Sequence, residues 1–267
     1  MIIATSIAPG NIEKQTKAIQ SWRESGFEVV SLNTEDEIDT IGNNIPHIEF
    51  VTVKTSTLKT LGRPYVFIDD FLAYCIENKI EQFGIVNSDI ILQVGGKKLE
   101  NIKSLCMDSM LYGCRLDVDE SGYGRVYEIG FDYFFMSHHV ATKIDRSGFA
   151  LGAPWWDYYL PLSAALNGVK VNRITKPIGI HVWHASRYSK DERVMLGLEF
   201  MRYLKTAIVQ KTGVDREIRI ALDCFSGRGV DLNDIDKIHN QQQLFDKVVC
   251  PGAAAIVDIL RLTSVGI

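Results

Sequence analysis

Short apolar runs alternate with stretches of helical periodicity along the opening of this chain. Residues 2–6 form a strand-like run and Ala8-Pro9-Gly10-Asn11 supplies turn chemistry. Residues 12–24 are rich in helix formers, with Ile12, Ile19 and Trp22 near one face, until Gly26 stops the helix. Residues 27–32 read as a second strand; Asn33-Thr34 then introduces a helix over 35–41, whose first-turn acids suit the positive end of the helix dipole. This β-α-β-α order predicts an α/β fold of Rossmann-like kind, a mostly parallel central sheet with helices on both faces and right-handed crossovers. A strand over 48–53, a helix over about 65–78 that turns Phe67, Phe71, Leu72, Cys75 and Ile76 to a core, a strand over 83–86 and a helix over about 98–107 continue the pattern.

Strands over 110–116 and 123–129 flank Asp119-Glu120-Ser121-Gly122, an antiparallel hairpin with glycine in its turn, and 130–136 continues as an aromatic strand. In 152–160, Pro154 suits the first turn of a helix that Pro161 bends or ends. A strand over 169–174, a second apolar run over 178–184 and a long helix over 191–211 come next, the last with Val194, Leu198, Met201, Leu204 and Ile208 on one stripe.

Composition narrows the class. With 267 residues, 46% hydrophobic and 23% charged, the chain reads as an ordinary globular protein, and neither disorder nor membrane residence is expected. A net charge of -4 argues against nucleic acid as a partner and for a small molecule. Five cysteines without C-x-x-C spacing cannot all pair within one chain, so reduced thiols and a cytoplasmic location are expected. No apolar run is long enough for a transmembrane segment, and residues 1–7 read as a first strand rather than a signal-peptide core.

Candidate chemistry sits where apolar runs break into polar residues. Phe-Gly-Ile-Val at 83–86 gives way abruptly to Asn87-Ser88-Asp89, which puts a carboxylate at the carboxyl end of a strand, the edge where open α/β sheets bind ligands. By topology that edge also gathers Thr5, Ser6 and Asn33. Asp89 can be one of the hard oxygens that a magnesium or manganese ion needs when it bridges a diphosphate; a polar turn is the alternative reading. Asp132, between aromatics on a strand, faces solvent or lines a polar pocket. Trp155, Trp156, Tyr158 and Tyr159 surround Asp157 with flat side chains suited either to sugar faces or to a packed core. Desolvation raises the pKa of Asp157 and the helix dipole lowers it. His181 and His184 are separated by an odd number of positions, so on a regular strand they point to opposite faces and only one shares a site with Asp89.

The order of these features over residues 1–190 resembles nucleotide-sugar glycosyltransferases of the GT-A fold. Ala4-Thr5-Ser6-Ile7 resembles the segment that meets the donor nucleotide, and 33–37, with Asn33 and Glu37, the region that holds base and ribose. Asn87-Ser88-Asp89 takes the place of the D-x-D motif, in which the final Asp binds the divalent ion; Asn87 in the first position leaves the site one charge poorer. Gly152 to Asp157 resembles the acceptor-side segment whose carboxylate serves inverting members as base. The late segment resembles the one in which a His, here His184, completes the metal site. The resemblance implies a nucleoside-diphosphate sugar donor, a glycan or other hydroxyl-bearing acceptor, and Mn2+ or Mg2+. Asp157 is then the base, Ile7 and Ser88 join the donor side, and Asp132, Trp155, Trp156 and His181 line the acceptor side. Residues 191–267 are expected to be a mainly helical extension packed on this core. A retaining transferase, a nucleotidyltransferase and an inactive sugar-binding scaffold are the alternatives; Ala8-Pro9-Gly10-Asn11 lacks the basic residue of a nucleotidyltransferase loop.

Overall fold

The computed structural model describes residues 1–267 apart from 43, 44, 46, 47, 120, 185–187, 212–214 and 239. The opening alternation appears as β1 (Ile2–Thr5), α1 (Ile12–Glu24), β2 (Glu28–Asn33), α2 (Glu35–Ile41), β3 (Glu49–Thr52), α3 (Leu58–Leu61), α4 (Ile68–Glu77) and β4 (Gln82–Val86). β5 (Ile90–Leu92) and α5 (Gly96–Leu105) follow. Local chemistry explains the boundaries. Gly26, at φ 91°, takes the left-handed conformation after α1, and Thr34 with Glu37 forms a reciprocal capping box at the start of α2. Trp22 on α1 is fully buried, and its indole N–H donates to the carbonyl of Ile90 at 2.7 Å, tying the helix to the far side of the sheet.

The second half contributes β6 (Ser109–Val118), β7 (Gly124–Ser137), α6 (His138–Ala141), α7 (Trp156–Leu166) and β8 (Lys170–Val182). It closes with α8 (Lys190–Gln210), α9 (Asp215–Gly227), α10 (Gln241–Leu244), α11 (Cys250–Thr263) and β9 (Val265–Gly266). All strands join one sheet in the order β3-β2-β1-β4-β7-β6-β8-β5, with β9 beside β8. β3, β2, β1 and β4 run parallel; β7 is antiparallel to β4 and β6, and β6 is again parallel to β8. The sheet is buried on both faces, because neighbouring residues feed different cores. Ala4 and Ile85 join Phe71 of α4 and Tyr159 of α7, whereas Ile3 and Val86 join Trp22 of α1 and Ile102 of α5.

As expected, the second hairpin strand continues into the aromatic residues as one strand, β7, although a bulge falls within it. Two expectations are corrected. The two strands expected over 169–174 and 178–184 are the single strand β8, because the apparent break is a bulge. Between the pairs Cys114/Phe131 and Arg115/Tyr127, β7 advances four positions for one of β6. Between Gly113/Ile174 and Arg115/Gly179, β8 advances five for two. Finally, α7 runs through Pro161 to Leu166, and Pro154 lies before the helix rather than in its first turn.

Tyr133 fills the seam between these bulges. The ring is fully buried against Gly113 and Gly179, where no side chain stands in the way, and its hydroxyl donates to Cys114 O at 2.7 Å. Beyond the seam, the upper parts of β6, β7 and β8 carry Arg115, Asp117, Tyr127 and His181.

The C-terminal segment shares this core. Phe225, Val249, Ile256 and Leu260 belong to the same hydrophobic cluster as Met110, Phe134 and Trp156. Tyr112 of β6 places its hydroxyl 3.0 Å from Ser264 Oγ, and β9 pairs with Asn172 and Arg173 of β8. Among the described residues no helix is long and apolar enough to cross a membrane.

A methyl group at Gly179 would lie 2.7 Å from the Tyr133 ring and 3.0 Å from Ile90, in a part of the sheet with no room to relax. Gly179→Ala is therefore expected to destabilise the fold by about 1–3 kcal/mol, read as a lower urea midpoint. A variant that melts with the wild-type midpoint would refute this account of the seam.

Candidate active site

At the carboxyl ends of β1, β2 and β4, the chain builds a wall from residues that satisfy one another. Asn33 is fully buried: its Nδ2 donates to Ile7 O at 2.9 Å, to Ser6 Oγ at 3.3 Å and to Glu37 Oε2 at 3.2 Å, while its Oδ1 accepts from Ser31 Oγ at 2.6 Å. Thr5 is likewise fully buried and donates to Val86 O at 2.7 Å; the Ile7 side chain lies in the apolar core. Thr5, Ile7 and Asn33, expected to touch a nucleotide, thus shape the wall from behind, since their polar groups are already used. Ser6, Glu37, Asn87, Ser88 and Asp89 do line the cleft, as do Gly10, Asn11 and Lys14 at the start of α1.

Gln15 is a residue that sequence reasoning missed. Nearly buried on α1, it donates to Ala8 O at 2.9 Å and Gly10 O at 2.6 Å, and its Oε1 accepts from Ala8 N at 2.8 Å and from Ser88 Oγ at 2.7 Å. One amide therefore fixes the loop after β1 and the turn after β4 against each other.

Asp89, beyond β4, meets two histidines. His184 Nε2 is 3.1 Å and His181 Nε2 3.7 Å from Asp89 Oδ2, and one ligand atom from each of the three residues lies within 4.8 Å of the others. The expectation that only one histidine shares this site is corrected: β8 ends at Val182, so strand alternation no longer governs residue 184. His181, expected on the acceptor side, is part of this cluster. Its Nδ1 is 2.9 Å from Asp117 Oδ1, the pairing that directs the Nε2 lone pair outward when a histidine ligates a metal. Burial alone would raise the pKa of Asp89; hydrogen bonds and charge from His181 and His184 override it and hold the carboxyl well below the usual range. Two imidazoles and a carboxylate form a donor set that suits a divalent first-row ion.

Arg115 extends the cluster sideways. Its Nε is 2.7 Å from Asp117 Oδ1, its terminal nitrogen pairs with Asp132, and its guanidinium lies 4.7 Å over the Tyr127 ring. Asp132 is 5% exposed; Asn87 Nδ2 donates to its carboxylate Oδ1, and the Asn87 backbone N–H donates to its main-chain carbonyl at 3.0 Å. An aspartate at position 87 would face Asp132 as a second charge, whereas the Asn amide gives it a donor. Arg115 was not singled out from the sequence, although Arg115 and Asp117, two apart on a strand, share a face.

Asp157, in the first turn of α7, closes the other end of the same cleft, which has a volume of about 520 Å³. Phe131 N–H donates to its Oδ2 at 3.2 Å. Burial, reinforced by the charge of Asp132, pushes its pKa up to about 7, so of the two opposing effects weighed from sequence, desolvation prevails. The flanking tryptophans do not offer open faces to a sugar. Trp155 and Trp156 are each 3% exposed; Trp155 stacks on Phe200 and donates to Arg193 O at 2.9 Å, and Trp156 packs edge-on against Phe134. They are core residues that hold α7 in place. Trp155 adopts φ 80° as the residue before the helix, an unfavourable conformation for a bulky side chain that this packing sustains. Arg63, Tyr65, Tyr127, Tyr188 and Arg193 complete this end of the cleft.

No protein-family profile and no curated protein matches the chain. Among solved structures it is similar to a putative nucleotide-diphospho-sugar transferase from Desulfovibrio desulfuricans G20, at 8% identity and TM-score 0.39, covering 73% of this chain and 85% of that one. It is also similar to a cytidylyltransferase from Leptospira borgpetersenii, at 14% identity and TM-score 0.44, with 79% and 96% covered. A protein of Mycobacterium tuberculosis H37Rv, solved as a manganese complex, gives 10% identity and TM-score 0.39 over 73% and 95%. The chemistry argued for this chain rests on its own side chains and not on these likenesses.

Proposed function

We propose that this protein is a glycosyltransferase that moves a sugar from a nucleoside-diphosphate sugar to an acceptor hydroxyl, with inversion at the anomeric carbon. The observation that carries this reading is the sharing of one cleft by the Asp89-His181-His184 cluster and by Asp157, a carboxyl that titrates near 7. The first suits a diphosphate with its ion; the second suits a base working near neutral pH.

In this reading the donor diphosphate lies against the loop after β1, where the N-terminus of α1 and the Lys14 ammonium favour negative charge. Asp89, His181 and His184 would hold a divalent ion, for which their two imidazoles favour manganese over magnesium, and which would supply positive charge to the departing diphosphate. Asp117 keeps His181 turned, and Gln15 keeps the two donor-side loops together. Asp157 has its Oδ2 held by Phe131 N–H, and the residue lines the cleft that would admit the acceptor. As the acceptor oxygen attacks the anomeric carbon, its proton passes to Asp157. The new C–O bond forms as the bond to the diphosphate breaks, and the electron pair leaves with the diphosphate. A single displacement from the opposite side inverts the configuration, which the anomeric proton coupling of the product reports.

Asp157→Asn is expected to lower the transfer rate by about 10²–10⁴ while donor binding persists, measured by single-turnover transfer and donor titration. Wild-type transfer would sink the assignment. Because the base must be ionised, the rate should rise with pH through a midpoint near 7. The same raised pKa carries a stability signature. A carboxyl ionised in the unfolded chain but held neutral in the fold costs progressively more as pH rises toward 7, so Asp157→Asn should stabilise the protein more at pH 8 than at pH 4 in urea melts.

For the ion, manganese should raise the melting temperature of the wild type, and Asp89→Asn or His184→Ala should remove that increase. An identical rise in these variants would exclude the cluster as the binding site.

A further inference from the structure

The acceptor end of the cleft contains, besides many other residues, two arginines that stand without a carboxylate against them. Arg125, Arg146, Arg173 and Arg219 elsewhere in the chain likewise hold no carboxylate within ion-pair distance among the described residues, so it is the position of these two in the cleft beside Asp157 that counts. Arg63 and Arg193, both half-buried and both lining the cleft, pair with no carboxylate among the described residues. The guanidinium of Arg63 donates to Tyr65 Oη at 3.1 Å. The carboxylate of Glu192 is beyond ion-pair distance of it and accepts from Ser189 N in the cap of α8.

Arg193 is anchored through its backbone, whose carbonyl accepts from Trp155 Nε1 at 2.9 Å. It lines the same cleft as the base Asp157, together with Tyr127 and Tyr158. An arginine fork matches a planar carboxylate or a phosphate, and it retains that fit only if no protein acid occupies it.

We propose that the acceptor carries an anionic group, a carboxylate or a phosphate, which Arg63 and Arg193 grip while its hydroxyl faces Asp157. The aromatic rims of Tyr65, Tyr127 and Tyr188 flank the path between the two. This rests on the glycosyltransferase reading for the identity of the ligand as acceptor, but the anion site is measurable without transfer.

The test is binding of glucuronate, glucose 6-phosphate and glucose to the full chain, followed by NMR titration. At least one charged sugar should bind about tenfold or more tightly than glucose, and the stronger of the two identifies the group recognised. Arg193→Gln and Arg63→Gln should each weaken it about tenfold, with Arg193→Lys intermediate and added salt lowering affinity. Retained circular dichroism and melting temperature verify that the variants fold. Equal binding of glucose, no binding of either charged sugar, or unchanged binding in the glutamine variants would overturn the proposal. Donor binding is read separately by thermal shift, so loss of the glycosyltransferase reading and loss of the anion site give different results.

Discussion

The insertion of Tyr133 into the space above Gly113 and Gly179 is the constraint on which the rest of the site depends. A regular sheet would carry β6, β7 and β8 past Cys114 in step, and the side chains beyond would keep the alternation of those below. Instead β7 and β8 both gain residues at this level, and the Tyr133 hydroxyl binds the carbonyl of Cys114 where the registers change. The bulge residues Ile129 and Gly130 line the cleft, and the Ile129 carbonyl accepts from the Tyr158 hydroxyl at 2.6 Å, which ties the irregular strand to the helix that bears Asp157. Bulges are a common means of aiming side chains at a ligand, and here they act on three strands at once.

Beyond that seam, buried charge is arranged as a chain of shared partners. Asp89 faces two histidines, His181 leans on Asp117, Asp117 and Asp132 share Arg115, and Asp132 takes the Asn87 amide. Each acid has a donor, which is what permits so many ionisable groups within one cleft. Asp157 alone stands beside this chain without a cation of its own in contact, and burial and the neighbouring Asp132 set its pKa. Two carboxyls in similar surroundings are thereby pushed in opposite directions, Asp89 down and Asp157 up.

Much of the α/β framework was legible because it rests on local signals. Helices α1 and α2 have the expected bounds, since a glycine stop and a Thr34–Glu37 cap mark their ends in the sequence itself. The unity of β8 was illegible because a bulge looks like a strand break: the Thr-Lys-Pro of 175–177 interrupts the apolar run without ending the pairing. In the site, Asp89, Asp132 and Asp157 stood out as acids in apolar company. Gln15 and Arg115 did not, because their importance comes from partners 73 and 17 residues away. The tryptophans misled for the converse reason, as composition does not say which way a ring faces, and Phe200 and Phe134 had already taken theirs.

The amide of Asn87 against the carboxylate of Asp132 has a historical consequence. Two positions 45 residues apart are bound to each other, so a lone change of Asn87 to an acid meets a neighbour it cannot tolerate, while a lone loss of Asp132 strands both the amide and Arg115. The effects of changes at the two positions are therefore coupled rather than additive. Among descendants of this chain, residues 87 and 132 are expected to vary together.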